Sequence, residues 1–236
     1  MEFKGRPLRH EYKYYLHPHE YLSIRQRVSA LLPLDPHSQS PGGYGIRSLY
    51  FDSPVDYALY DKVNGVFSRE KFRIRIYNGS DQTIKLERKS KFGEYVNKES
   101  APLTRAQYDA ILQGDYSAVD GSTYCLIREF YLALAHKGYR PITIVDYLRE
   151  AYVYDHGDVR ITFDKRLVAG VNSIDLFYPG LILKETLDPA QTILEIKYNN
   201  FLAQDIRLAA SPTVSNRSTI SKYVICREAN MLHFKR

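Results

Sequence analysis

The chain has 236 residues, 44% of them hydrophobic and 25% charged, which is enough to bury the core of a globular protein read here as one domain, residues 1–236. Its 33 Lys and Arg against 27 Asp and Glu give a net charge of +6. That charge points to an anionic partner and leaves open nucleic acid, a membrane surface or a phosphorylated small molecule. No apolar run approaches the ~18 residues of a membrane span, and MEFKGRPLRHEYKYY lacks the apolar stretch of a signal peptide. Cys125 and Cys226 are too few for a disulfide framework or a zinc site. A reducing cytoplasm is the expected setting, with each cysteine a small core residue on a helix.

Leu8 to Leu16 alternates, with Leu8, Tyr12, Tyr14 and Leu16 opposite Arg9, Glu11 and Lys13, and reads as a half-buried strand. Pro18 opens a helix to about Leu32, and LPLDPHSQSPGG, Leu32 to Gly43, reads as a surface loop. Gly45 to Asp52 is a strand, followed by a short helix from Pro54 to about Val63. Lys71 to Lys91 reads as a hairpin turning at Asn78-Gly79-Ser80-Asp81. Phe72, Ile74 and Ile76 oppose Arg73 and Arg75 before the turn, and Ile84 and Leu86 oppose Lys85, Glu87 and Lys89 after it. GEYVNKES continues as a strand. Thr104 and Gln107 form a capping box for a helix to about Gln113. Ser122 caps the next helix, which Gly138 ends after Lys137. Strands follow at Pro141 to Asp155, Asp158 to Asp164 and Thr192 to Tyr198. A helix is predicted from Phe201 to about Ala209, and the last one starts near Ser218.

The strands share a habit: one face is apolar and the other carries Arg and Lys with an occasional Glu. Neighbours such as Arg73 and Arg75 lie roughly 7 Å apart, and that pair costs about 2 kcal/mol at an effective dielectric near 20. A solvated face would mix charge signs. The repetition makes sense if an anion sits among the cations. Lys13, Arg73, Arg75, Lys85, Lys89, Lys98, Arg149, Arg160, Lys197 and Lys222, with Glu11, Glu87 and Glu195, carry more positive charge than the whole chain. The basicity therefore belongs to a concave surface, with no basic outer patch for nucleic acid. The fold these features imply is α+β, an antiparallel eight-stranded β-barrel with helices packed outside and a charged tunnel within. Arginine forks and ammonium groups suit a linear phosphate chain. The glutamates suit Mg²⁺ or Mn²⁺ bridging to phosphate oxygens.

RHEYKYYL, SLYFDSPVDYALYDK, FRIRIYN, IKLERKSK, YLREAYV, RITFD, LEIKY and SKYV, in that order, carry a resemblance to a known family. The sequence resembles the triphosphate tunnel metalloenzymes, and most closely the VTC-type polyphosphate polymerase domain. The resemblance implies transfer of the γ-phosphoryl of ATP to a growing polyphosphate. It implies that Lys13, Arg73, Arg75, Lys89, Lys98, Arg149 and Arg160 grip phosphates and that Glu195 holds the metal. Ser221 and Lys222 would stand near the tunnel mouth at the start of the last helix, where anions are favoured. Family members are often coupled to membrane subunits, so a separate membrane protein is a further partner to expect. The hydrolytic branch carries Glu-x-Glu-x-Lys on its first strand. Here Arg9 replaces the first glutamate before Glu11 and Lys13, which favours the polymerase. Thr219 stands where polymerases often have another lysine. Two alternatives remain: a hydrolase of inorganic triphosphate or nucleoside triphosphates, and a non-catalytic polyphosphate-binding module.

The HPHE at His17 to Glu20 has no common helical ligand spacing and reads as a strand-to-helix junction. Gly42-Gly43-Tyr44-Gly45 precedes a strand and reads as a loop, not a phosphate cradle. The 21 tyrosines are expected chiefly in core packing on outward faces.

Overall fold

A computed structural model describes residues 2–3, 6–7, 9–38, 42–199 and 201–233. Leu8, the expected start of the first long strand, and Gln39 to Pro41 of the expected loop lie outside them. The alternating segments pair into one antiparallel sheet in the order β3 (His10–Leu16), β11 (Thr192–Tyr198), β9 (Val159–Gly170), β8 (Arg140–Tyr154), β4 (Tyr44–Asp52), β5 (Ser68–Tyr77), β6 (Ser80–Phe92) and β7 (Tyr95–Leu103). A ninth, short strand, β10 (Leu183–Glu185), pairs with β9. A two-residue ladder of β1 (Glu2–Phe3) and β2 (Arg6–Pro7) stands apart from this sheet. The sheet curls until its two edges touch at one isolated bridge, Arg9 to Val96, and no continuous ladder closes it.

Local chemistry accounts for the sharp corners. Asn78 and Gly79 both take positive φ, 50° and 69°, so a two-residue turn joins β5 to β6 with the twist the strands need. Gly43 has φ of 94°, and a Cβ there would stand 2.1 Å from the Arg149 carbonyl oxygen, so only glycine lets β4 enter beside β8. In β9 the register shifts opposite Asp146 and Leu148, and Arg166 has φ of 53°. This extra residue carries the strand beyond Asp164, where the alternation in the sequence breaks off.

Helices cover the outer face as expected. The α3 (Arg105–Gln113) and α4 (Cys125–His136) helices pack on Phe51, Phe72, Ile74, Ile76 and Leu86. Pro18–Leu31 (α1) and Gln204–Ala210 (α5) cover Leu16, Ile161, Phe163, Leu194 and Ile196. Thr104 and Gln107 form the capping box. Ser122 does not cap α4, which begins three residues later; its Oγ accepts from the Tyr124 N–H instead. Cys125 is exposed at the first residue of α4, whereas Cys226 is buried as expected.

One helix departs from the outside arrangement. The last, α6 (Lys222–His233), starts four residues later than expected and packs into the concave side. Tyr223 and Cys226 meet inward-facing Tyr147, Val145, Leu167, Ala169 and Ile193. The inner face is small and apolar there, so it takes a helix; elsewhere it is charged and stays open. Asn230 fixes the far end of α6 by donating to Thr143 Oγ1 and to the Gly170 carbonyl. The short α2 (Tyr57–Val63) lies beside α6, joined to it by the Arg227–Asp56 ion pair.

Candidate active site

The inward positions enclose a cavity of about 580 Å³ lined by fifteen Lys or Arg residues and three Glu among the described residues. Lys13, Arg73, Arg75, Lys89, Lys98, Arg149, Arg160, Lys197, Ser221 and Lys222 all line it, with Glu11 and Glu195. Two expected residues do not. Lys85 shares the face of Arg75 but lies toward the hairpin tip, its Nζ 5.8 Å from the Tyr77 ring centre. Glu87 stands behind the wall and is almost wholly buried under the cations it anchors.

Two carboxylate nodes organise the wall. Glu195 on β11 accepts Lys222 Nζ at 2.6 Å and Lys197 Nζ at 2.7 Å, with Lys13 Nζ at 3.3 Å and Arg149 Nη2 at 3.5 Å. Asp164 of β9 takes both arms of Arg149 at 2.6 Å and Lys222 at 2.6 Å. Glu11 on β3 takes Lys89 at 2.6 Å and reaches Lys197 at 3.7 Å. The second node is Glu87 on β6, which gathers Arg73 at 2.7 Å, Lys98 at 2.9 Å and Arg75 at 3.7 Å. Burial pushes the Glu195 carboxyl up, but Lys13, Lys197, Lys222 and Arg149 together hold it well below the usual carboxylate range. Glu11 and Glu87 are likewise held down against burial by their cations. Buried this deeply, such pairs are stable only because every partner is present.

Lys222 is not at a mouth. It is the first residue of α6 and lies buried in the wall between Asp164 and Glu195, because α6 enters the concave side. Ser221 precedes it, its Oγ accepting from the Val224 N–H. Arg160 reaches Asp35, which is buried although its segment is expected to be a surface loop; the Arg160 Nε is buried with no partner.

Sequence reasoning missed three sets of residues. Tyr50, Tyr147 and Tyr44 face inward, and their hydroxyls accept from Arg73 at 2.8 Å, Arg75 at 3.2 Å and Arg160 at 2.8 Å. Tyr147 sits two residues from Arg149 on one strand, and that spacing was the available signal. Asp164 ends the expected strand Asp158 to Asp164, and nothing local to it announces Arg149 as its partner. Lys62, Arg69, Lys71 and Lys91 also line the cavity. Arg69 and Lys71 continue the alternation of Arg73 and Arg75 and were legible in it.

A curled antiparallel sheet with a cation-lined interior and buried glutamates defines the triphosphate tunnel class of proteins. The chain belongs to the VTC domain family, whose model matches residues 8–231. The fold is similar to that of PH1012 from Pyrococcus horikoshii OT3, at 12% identity and a TM-score of 0.52, covering 92% of this chain and 98% of that one. A conserved hypothetical protein from Pyrococcus furiosus is similar at 11% identity and a TM-score of 0.45, over 86% and 85% of the two chains. The Mimivirus capping enzyme triphosphatase is more distant, with 10% identity, a TM-score of 0.36 and coverage of 83% and 81%. A comparison with curated proteins gives no match. Among the described residues, no helix is long and apolar enough to cross a membrane.

Membership implies phosphotransferase or triphosphatase chemistry, triphosphate or nucleotide substrates and a divalent metal ion. The donor set suits such an ion on one condition. Among the described residues no group of three His, Cys, Asp or Glu is assembled for a metal. Glu195 and Glu11 offer hard oxygen donors whose charge is already balanced by lysines. Mg²⁺ and Mn²⁺ bind through one or two carboxylates when phosphate oxygens and water supply the rest. The residues therefore fit an ion that shares its coordination with substrate.

Proposed function

We propose that the protein is a metal-dependent polyphosphate polymerase, transferring the γ-phosphoryl of ATP to the end of an inorganic polyphosphate held in the cavity. The observation that carries this reading is the wall itself: buried, ion-paired cations on several strands, with Glu195 and Glu11 among them. Phosphoryl transfer needs positioning and charge neutralisation more than a covalent nucleophile. The bond between the β,γ-bridging oxygen and the γ-phosphorus breaks, a terminal oxygen of the chain bonds to that phosphorus, and ADP leaves with the bridging oxygen.

In this reading Arg73, Arg75, Lys98, Arg149 and Arg160 hold phosphate oxygens. Glu87, Asp164 and the hydroxyls of Tyr50, Tyr147 and Tyr44 keep the nearby guanidinium groups in place. Lys13, Lys89, Lys197 and Lys222 exchange part of their pairing with Glu11 and Glu195 for phosphate. Burial lowers Lys89 to about 7 and Lys197 to about 8, although their glutamates pull the other way, so an arriving anion draws both fully into the charged form. Glu195 and Glu11 would hold the metal ion, which when bound supplies charge neutralisation between phosphates. Glu87, behind the wall, is reserved for anchoring.

The test is ³¹P NMR of the protein with ATP and Mn²⁺, beside Glu195→Ala. Mid-chain polyphosphate appearing with ADP in wild type alone supports the polymerase. Orthophosphate as the sole product would establish the hydrolase. Unchanged ATP with retained binding would reduce the protein to a polyphosphate-binding module.

A further inference from the structure

On the inner side of β5, Arg69, Lys71, Arg73 and Arg75 follow one another at alternate positions, a row of roughly 20 Å at strand spacing. Glu87 serves only the half of this row that holds Arg73 and Arg75. The other half continues onto Lys91, opposite Arg69 in the β6 ladder, and onto Lys62 of α2. Among the described residues, Lys62, Arg69, Lys71 and Lys91 make no ion pair with any carboxylate. Arg69 Nη1 donates to the Val66 carbonyl. The Lys71 ammonium stands 3.4 Å from Ser221 Oγ and 4.6 Å from the centre of the Tyr223 ring.

We infer that this cluster, which makes no ion pair, is a second anion subsite, holding the unreactive length of a linear polyphosphate whose reacting end lies at Glu11 and Glu195. The inference rests on the polyphosphate reading of the cavity and gives the chain a direction in it. The four neighbouring cations have no ion-pair partner and repel one another; only the more distant Asp61, Asp52 and Glu11 favour the charges of Arg69, Lys71 and Lys91. Lys62 and Lys91 are shifted down by burial first and by Arg69 next. A multivalent anion laid along the row removes that repulsion. With no carboxylate in ion-pair contact with the four, phosphates here are held by cations alone and need no metal ion. Nor does the cluster offer a face for stacking a nucleobase, because Lys71 already covers Tyr223. This favours a bare phosphate chain over single-stranded nucleic acid.

The experiment compares the binding of tripolyphosphate with Mn²⁺ and of long-chain polyphosphate without metal, by titration calorimetry at fixed salt. The proteins are wild type and the double variant Lys62→Gln, Lys91→Gln. Both side chains are partly exposed at the cavity edge, so the fold tolerates the change. The double variant is expected to bind the long chain about tenfold more weakly, a loss of about 1.4 kcal/mol, and tripolyphosphate within about twofold. A second reading uses wild type alone: long-chain polyphosphate, and not tripolyphosphate with Mn²⁺, protects Lys62, Lys71 and Lys91 from an amine-acetylating reagent. Equal weakening of both ligands, unchanged affinity for the long chain, or tighter binding of single-stranded DNA than of polyphosphate would overturn the inference. Failure of wild type to bind either phosphate ligand would overturn the polyphosphate reading with it, an outcome distinct from the others.

Discussion

The cavity has two halves built from the same residue types on opposite electrostatic terms. On β3, β8, β11 and the start of α6, the buried cations have buried carboxylates beside them: Lys222 between Asp164 and Glu195, Arg149 on both, Lys13 and Lys197 between Glu195 and Glu11. At the start of β5, the end of β6 and on α2, Lys62, Arg69, Lys71 and Lys91 have no carboxylate within ion-pair distance among the described residues, though Asp52 acts on Lys71 from farther off. Against burial, Asp164 and Glu195 raise Lys222, and Glu11 and Glu195 raise Lys13. Burial still brings Lys89 down to about 7 and Lys197 to about 8. Burial with Lys89 and Arg69 brings Lys71, which has no ion pair, to about 7. Net charge alone does not distinguish the halves; the placement of four carboxylates, Glu11, Glu87, Asp164 and Glu195, does. The paired half is preset by its ion pairs. The unpaired half carries a repulsion between cations that an arriving anion relieves.

The sharpest way to break this comparison is to remove a charge from the paired half. Glu195→Gln keeps the shape and leaves Lys13, Lys197 and Lys222 without their shared partner. Turnover of ATP with Mn²⁺ is expected to fall at least about 100-fold, read as mid-chain ³¹P signal. Removing metal with a chelator should abolish turnover equally while leaving long-chain polyphosphate bound at the unpaired half. Loss of that binding along with turnover would show that the two halves do not divide the work.

The pH dependence sharpens the same contrast. Glu11, Glu87, Glu195 and Asp164 sit below their ordinary values when folded, so their stabilisation is present above the ordinary carboxylate range and is lost as pH falls through the folded values. Lys71 works the other way. Its folded value near 7 lies below its ordinary 10.5, so the unfolded chain binds more protons between them and stability rises with pH across that window. Lys89 of β6, Arg69 on the same strand and Lys62 of α2 oppose its charge, and Asp52 of β4 favours it. Ser221 and Tyr223 of α6 complete its surroundings. Polyphosphate binding at about pH 8 should therefore take up protons, measurable as a buffer-dependent calorimetric enthalpy; Lys71→Met should reduce the uptake.

The smallest effect belongs to a hydroxyl. Tyr50→Phe keeps the ring against Tyr223 and removes the acceptor of Arg73. A loss of about 0.5–1.5 kcal/mol in tripolyphosphate binding is expected. A larger loss would give Tyr50 a part beyond holding Arg73.

Much of this was legible in the sequence because a strand's period of two separates its faces without ambiguity. Arg73, Arg75, Lys89, Lys197 and Glu195 fall where alternation puts them. Legibility failed where the period broke or a long-range partner decided the outcome. The extra residue at Arg166 hides the second half of β9. Lys85 obeys the alternation, but no sequence pattern says where along a strand a cavity ends. The tyrosines as a group read as outer packing because tyrosine suits both faces; the alternation with Arg149 on its own strand and the pairing of Tyr50 with Arg73 are what put Tyr147 and Tyr50 inward. The entry of α6 depends on small residues such as Val145 and Ala169 on distant strands, so nothing local announces that Lys222 is buried.

The division between the halves is tested most directly by the ligand-free stabilities of Lys222→Met and Lys71→Met in urea at pH 7. Lys222→Met leaves Asp164 and Glu195 short of a cation and is expected to cost about 3–5 kcal/mol. Lys71→Met removes a half-buried charge that has no ion-pair partner and is expected to raise stability by about 1 kcal/mol, while weakening long-chain polyphosphate binding. Opposite signs would bear out an interior that is preset in one half and waiting for an anion in the other. A loss of stability in both variants would contradict it.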